Sequence, residues 1–177
     1  GGKIYGVVGY NGSGKTVLLK CLCGLESVSS GRIEVDGQVL GRDLQFPPSL
    51  GLILETPGFL EGYSGFDNLK QLALIKGLID DDTIRHHLAL VGLDPVSRQK
   101  VKHYSLGMKQ KLALAQAFME SPEIILLDEP MNGLDKQSVN RIRQLLLDYR
   151  AEGRLILIAS HLEQDIELLS DQVIHLS

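Results

Sequence analysis

The stretch "GYNGSGKT", residues 9–16, constrains the fold of this chain more than any other. It fits G-x-x-x-x-G-K-[ST] and sits between a short apolar, β-branched run, "KIYGVVG", and a segment of helical spacing, "KTVLLKCLCGL". A strand, a glycine-rich turn and a helix in that order leave little freedom. Gly9, Gly12 and Gly14 let the backbone curl so that successive N–H groups face inward and hold phosphate oxygens. Tyr10, Asn11 and Ser13 complete the curl. Lys15 adds a positive charge toward the β- and γ-phosphates, the Thr16 hydroxyl is placed to ligate Mg²⁺, and the new helix contributes its positive dipole end.

The remainder of the chain supplies the frame. "GRIEVDGQVL" alternates Ile33 and Val35 inward with Arg32, Glu34 and Asp36 outward, and its Asp36-Gly37 pair predicts a hairpin. "LGLILE" is a buried strand. From residue 61 to 120 the spacing turns helical: "FDNLKQLALIKG", then "DDDTIRHHLALVGL" opened by acids that suit a helix N-terminus, then "HYSLGMKQKLALAQAF". Strands and helices then alternate through "EIILLDEP", "KQSVNRIRQLLLDYRAEG", "RLILIAS", "LEQDIELL" and "DQVIHL". This order predicts an α/β fold with a mostly parallel sheet. Residues 1–177 form one domain, with a core in 1–60 and 121–177 and a helical insertion at 61–120. The chain lacks an initial Met and enters a strand almost at once, so both ends read as cut from something longer.

Composition removes several classes of function. The net charge of −4 opposes a dedicated nucleic-acid binder, which presents basic faces to phosphates. No apolar run approaches the roughly 18 residues of a membrane span, since Lys76 breaks "LALIKGLI" and Asp128 stops "IILL". Cys21 and Cys23 are too close for a zinc pair and ill placed for a disulfide on one helix, so both are expected to be buried, reduced thiols.

Three further places carry chemistry. "IILLDEP" is an apolar strand ending in two carboxylates, at the edge where α/β sheets bind ligands. There Asp128 would hold Mg²⁺ and Glu129 would accept a proton from the water attacking the γ-phosphorus. His161 follows the next strand, at the same edge, where an imidazole N–H would reach the γ-phosphate. Finally, "YSLGMKQ" opens a helix with Ser105, Leu106 and Gly107 and no acid. Ser105 suits an N-cap, and the same kind of helix start suits a phosphate.

The order "GYNGSGKT", "YSLGM", "IILLDEP", "NGLD" and "SH" resembles the ATP-binding cassette (ABC) ATPases, the nucleotide-binding subunits of ABC transporters, over essentially the whole chain. That resemblance implies a P-loop NTPase (RecA-like) core, a partial antiparallel β-subdomain at "GRIEVDGQ" and a helical subdomain that docks on transmembrane helices. It also implies ATP and Mg²⁺ as cofactors and a dimer that sandwiches ATP between the Lys15 loop of one copy and Ser105 and Gly107 of the other. By position, Glu129 matches the catalytic base, His161 the switch histidine, and Asp135 a loop crossing the dimer interface. Expected partners are integral membrane subunits and a second cassette, with no nucleic acid, at the cytoplasmic face of a bacterial membrane.

The family's usual LSGGQ stands here as Tyr104, Ser105, Leu106, Gly107 and Met108, and its usual glutamine after "LGLIL" is Glu55. A carboxylate accepts where an amide also donates. Glu55 would bind Mg²⁺ or orient water while adding negative charge near the γ-phosphate, so slower or differently coupled hydrolysis is expected. "ETPGF" with "YSLGMKQ" is similar to cassettes of bacterial exporters for bacitracin- and lantibiotic-type peptides. The family stacks adenine on an aromatic upstream of the phosphate loop; this chain starts too late to contain it, and Tyr5, inside the first strand, is a poor substitute. Two alternatives stand beside the exporter: a non-transport cassette acting on ribosomes or DNA, and a regulatory cassette that barely turns ATP over.

Overall fold

The apolar runs that alternate with helical segments assemble into one parallel sheet. In the computed structural model, which describes residues 2–55, 58–161 and 163–176, the strands are β1 (Lys3–Val8), β4 (Leu50–Ile53), β5 (Ile124–Asp128), β6 (Leu155–Ser160) and β7 (Gln172–His175), in the order β4-β5-β6-β1-β7. Every neighbouring pair is parallel. Gly1, Thr56 and Pro57 of "ETPGF", Leu162 of "LEQDIELL", and Ser177 lie outside the described residues.

Both faces of the sheet are covered, and this is why β5 and β6 are nearly continuous apolar runs with no polar alternation. One face carries Val7, Leu126 and Ala159, packed under Leu19 and Cys23 of helix α1 (Lys15–Cys23). The other carries Ile4, Val8, Ile125, Leu127, Ile156 and Ile158, which join the larger core. Helix α5 (Lys136–Ala151) enters that core with Ile142, Leu145, Leu146 and Tyr149, spaced to fall on one helical face, and α6 (Glu163–Leu169) with Ile166 and Leu169.

The block between residues 61 and 120 is helical, with α2 (Gly65–Lys76), α3 (Asp81–Leu90), a 3₁₀ turn (Val101–His103) and α4 (Leu106–Phe118). Ser64 and Asp80 cap α2 and α3 by accepting from the Asp67 and Thr83 amides. Buried Asn68 ties the entry loop down, accepting from the Leu60 amide and donating to the Leu60 and Ser64 carbonyls. Helix α4 belongs to both halves: it packs on α3 and also on β4. Its buried Leu112, Leu114 and Phe118 therefore join the helical block to the sheet.

The expected hairpin forms, as β2 (Glu34–Val35) and β3 (Gln38–Val39), antiparallel and two residues each. Asp36 and Gly37 both take positive φ, as a tight two-residue turn requires. One expectation is corrected. Both cysteines are free, but only Cys23 is buried; Cys21 is partly exposed, because positions two apart on a helix point to different sides.

Candidate functional site

Because all five strands run the same way, the loops after β1, β4, β5 and β6 emerge at one edge of the sheet. The loop after β1 is shaped by Gly12 at φ 89° and Gly14 at φ 94°, conformations that a side chain would strain. Gly14 is the residue from which α1 departs. The first amides of a helix have no intrahelical acceptor, so this loop presents donors to an anion. Lys15 is buried, and its Nζ folds back onto the loop, donating to the Gly9 carbonyl at 2.6 Å and the Tyr10 carbonyl at 3.2 Å. The Ser13 hydroxyl is buried without a hydrogen-bond partner.

Thr16 Oγ1 donates to Asp128 Oδ2 at 2.5 Å, joining the start of α1 to the end of β5. Asp128 is 8% exposed, and burial pushes its carboxyl above the ordinary range. The Thr16 hydrogen bond opposes that rise, while the neighbouring charge of Glu129 adds to it. A hydroxyl and a carboxylate meeting at one point fit Mg²⁺, which takes one or two carboxylates and fills its remaining positions with phosphate and water oxygens. No cluster of three or more His, Cys, Asp or Glu exists among the described residues to offer a full protein cage.

Glu129 takes φ 48°, a left-handed conformation uncommon for a non-glycine residue. Its amide continues the sheet by donating to the Ala159 carbonyl at 2.8 Å. Three donors at the end of β6 hold its carboxylate: Ser160 Oγ reaches Oε2 at 3.1 Å, the His161 amide reaches Oε1 at 2.9 Å, and His161 Nδ1 lies 2.8 Å from Oε1. Strain of this kind, held in place by its surroundings, gathers at functional sites.

A cavity of about 460 Å³ lies between these groups, with Gly12, Lys15, Thr16, Glu55, Asp128 and Glu129 in its wall. Asn11 and Gly14 line it too, whereas Gly9, Tyr10 and Ser13 of the same loop are outside its lining. Glu55, after β4, has a positive φ of 55° and pairs with Lys20 of α1 at 2.8 Å. Leu106, Lys109 and Gln110 of α4 close the far side.

Ser105 and Gly107 are at the tip of α4 beside this cavity and outside its lining. Ser105 caps its own helix, accepting from the Met108 amide at 3.2 Å, and no acid occupies the first turn. A Cβ on Gly107 would stand 2.6 Å from the Gly133 carbonyl oxygen, so the helix tip is pressed against the "NGLD" loop of its own chain. Asp135 ends that loop and caps α5, accepting from the Ser138 amide at 2.7 Å.

Three contributors escaped the sequence reading. Ser160 holds Glu129; its only signal was a polar residue closing an apolar strand beside His161. Gln110, buried and flanked by Lys109 and Lys111, donates to the Glu129 and Pro130 carbonyls at 3.3 and 3.1 Å. An amide on the buried side of a helix asks for a partner, although the sequence does not say which. Lys20 gave no signal at all.

A phosphate loop after β1, with a carboxylate pair at the end of β5 in the same parallel sheet, defines a P-loop NTPase core. The family model described as ABC transporter matches residues 1–132. An uncharacterised ABC transporter ATP-binding protein of Bacillus subtilis, YybJ, is 45% identical over 96% of this chain and 78% of its own length. The lantibiotic transport ATP-binding protein SrtF of Streptococcus pyogenes is 38% identical, over 96% of this chain and 73% of its own length. The bacitracin transport ATP-binding protein BcrA of Enterococcus faecalis is also 38% identical, over 97% of this chain and 56% of its own. The fold superposes on the ATP-binding cassette MJ0796, in a dimeric structure with ADP and phosphate, with a TM-score of 0.86 at 19% identity, covering 99% of this chain and 81% of that one. The chain belongs to the ABC transporter family and is one of its ATP-binding subunits, an ATPase.

Proposed function

We propose that this subunit powers a bacterial exporter of the bacitracin and lantibiotic type, working at the cytoplasmic face of the membrane as a dimer with ATP between two copies. The Lys15 ammonium and the amides of residues 12–16 bind the β- and γ-phosphates. Thr16 and Asp128 are the residues that would hold Mg²⁺, which neutralises phosphate charge when bound. Glu129 accepts the proton of the attacking water, and Ser160 and His161 fix its carboxylate for that purpose. Glu55 adds an accepting group to the same wall. The acid-free tip of α4, with Ser105 and Gly107, supplies the second cradle for the γ-phosphate, across the dimer, with Asp135 at the interface.

The observation that carries the chemistry is the posture of Glu129: its backbone is strained, three donors hold its carboxylate, and the residue lines the same cavity as Lys15 and Thr16. The transported class is supported by the relatives' names. No helix among the described residues is long and apolar enough to cross a membrane, and in this reading membrane subunits supply the translocation path. In the full-length subunit, Glu129→Gln should lower hydrolysis by about 10²-fold or more, keep ATP binding, and accumulate an ATP-dependent dimer on gel filtration. An unchanged hydrolysis rate defeats the assignment. Recovery of ribosomes or DNA in place of a membrane subunit, on purification from native cells, defeats the exporter reading.

A further inference from the structure

The wall of the proposed nucleotide cavity carries more acids than bases, although the site would take a polyanion. Glu55, Asp128 and Glu129 face Lys15 and Lys109 there, three carboxylates against two ammonium groups before any phosphate enters. Asp128 has the Thr16 hydroxyl and Glu129 has Ser160 and His161. Glu55 depends on one cation from outside the lining: Lys20, whose Nζ lies 2.8 Å from Oε1.

We infer that Lys20 is a positioning residue for ATP, cancelling the charge of Glu55 at the terminal-phosphate end of the cavity. The inference rests on the reading of the Lys15 loop as the seat of the β- and γ-phosphates. Thr16 and Asp128 mark the end of the cavity where the outer phosphates lie, and Glu55 lines the same cavity wall as both. Lys20 sits one helical turn beyond Thr16 on α1, so the helix that cradles the phosphates also carries the neutralising charge. The ammonium and the carboxylate each stabilise the charged form of the other. The partners are 32% and 64% exposed, so the pair contributes little to folding. Its effect falls on the ligand: an unpaired carboxylate repels the nucleotide with the extra terminal charge more strongly than the one without it. Lys20 thus favours ATP over ADP.

The test is calorimetric titration of the full-length subunit with ATP and with ADP, each with Mg²⁺. Lys20→Met should weaken ATP by roughly threefold to tenfold, as a single partly screened charge would, and weaken ADP less. The ATP deficit should shrink as salt rises. Lys20→Arg should keep the wild-type preference, Glu55→Gln should tighten ATP, and Lys20→Met with Glu55→Gln should recover most of the lost affinity. Equal weakening of both nucleotides, or a double variant no better than Lys20→Met, overturns the inference. Failure of the wild type to bind ATP, or full ATP binding by Lys15→Ala, would instead strike the phosphate-loop reading, whatever Lys20→Met did.

Discussion

Asp128 is held where its charge is unwelcome. It is buried, its carboxyl is pushed upward, and Glu129 is beside it. Such a carboxylate disfavours the empty site and favours a bound cation. Asp128→Asn should therefore raise the melting temperature of the nucleotide-free subunit and remove the Mg²⁺-dependent part of its stabilisation by ATP, read by thermal shift with and without Mg²⁺. Gly107 makes a different demand. With the Gly133 carbonyl oxygen pressed against it, Gly107→Ala should cost the nucleotide-free subunit about 1–3 kcal/mol in denaturant unfolding. Lys15, Thr16, Asp128 and Glu129 were legible in the sequence as one group, because each lies at or after the end of an apolar strand of the same sheet, and the fold brings all four to one cavity. Lys20, Gln110 and Ser160 were not, since each gains its meaning from a partner 20 to 35 residues away that only the folded sheet brings near.

Among the helices, side-chain caps explain where α2, α3, α4 and α5 begin. Ser64, Asp80, Ser105 and Asp135 each accept from an amide of their own first turn. Hydrogen bonds from Thr83 and Ser138 hold the Asp80 and Asp135 carboxyls below the ordinary carboxylate range. Their folded values lie under the unfolded one of about 3.9, so the unfolded chain takes protons first and stability rises with pH there. The two caps contribute fully above about pH 5 and fade as pH falls through the carboxylate range toward their lower folded values. Asp80→Asn with Asp135→Asn should flatten the acid limb of a stability–pH curve, measured by helical circular dichroism. Ser105→Ala should cost about 1 kcal/mol as a cap, and Ser105→Thr should restore it. The elements themselves were largely legible, because the apolar runs and helical spacings are long. The hairpin strands are shorter than their alternation suggested: the ladder pairs Glu34 with Val39 and Val35 with Gln38, and one further bond runs from the Leu40 amide to the Ile33 carbonyl. The place of α4 was not legible: one amphipathic segment gives no sign that it serves both α3 and β4.

Over the whole molecule, the parallel sheet gathers four loops at one edge, and a fifth contributor, the tip of α4, arrives from the helical block. If a second copy supplies Ser105, hydrolysis per subunit should climb with subunit concentration and level off once dimers saturate, measured as ATPase activity across a dilution series of the full-length protein. A flat profile would indicate a self-sufficient monomer. Gln110 gives the arrangement its mechanical character. Its amide reaches from α4 to the backbone directly beneath the proposed proton acceptor, at the Glu129 and Pro130 carbonyls. A membrane protein that levers the helical block would thereby tug on the hydrolytic carboxylate through a linkage a single side chain long, and cargo loading could set the pace of catalysis with no travelling wave of loop rearrangements between them.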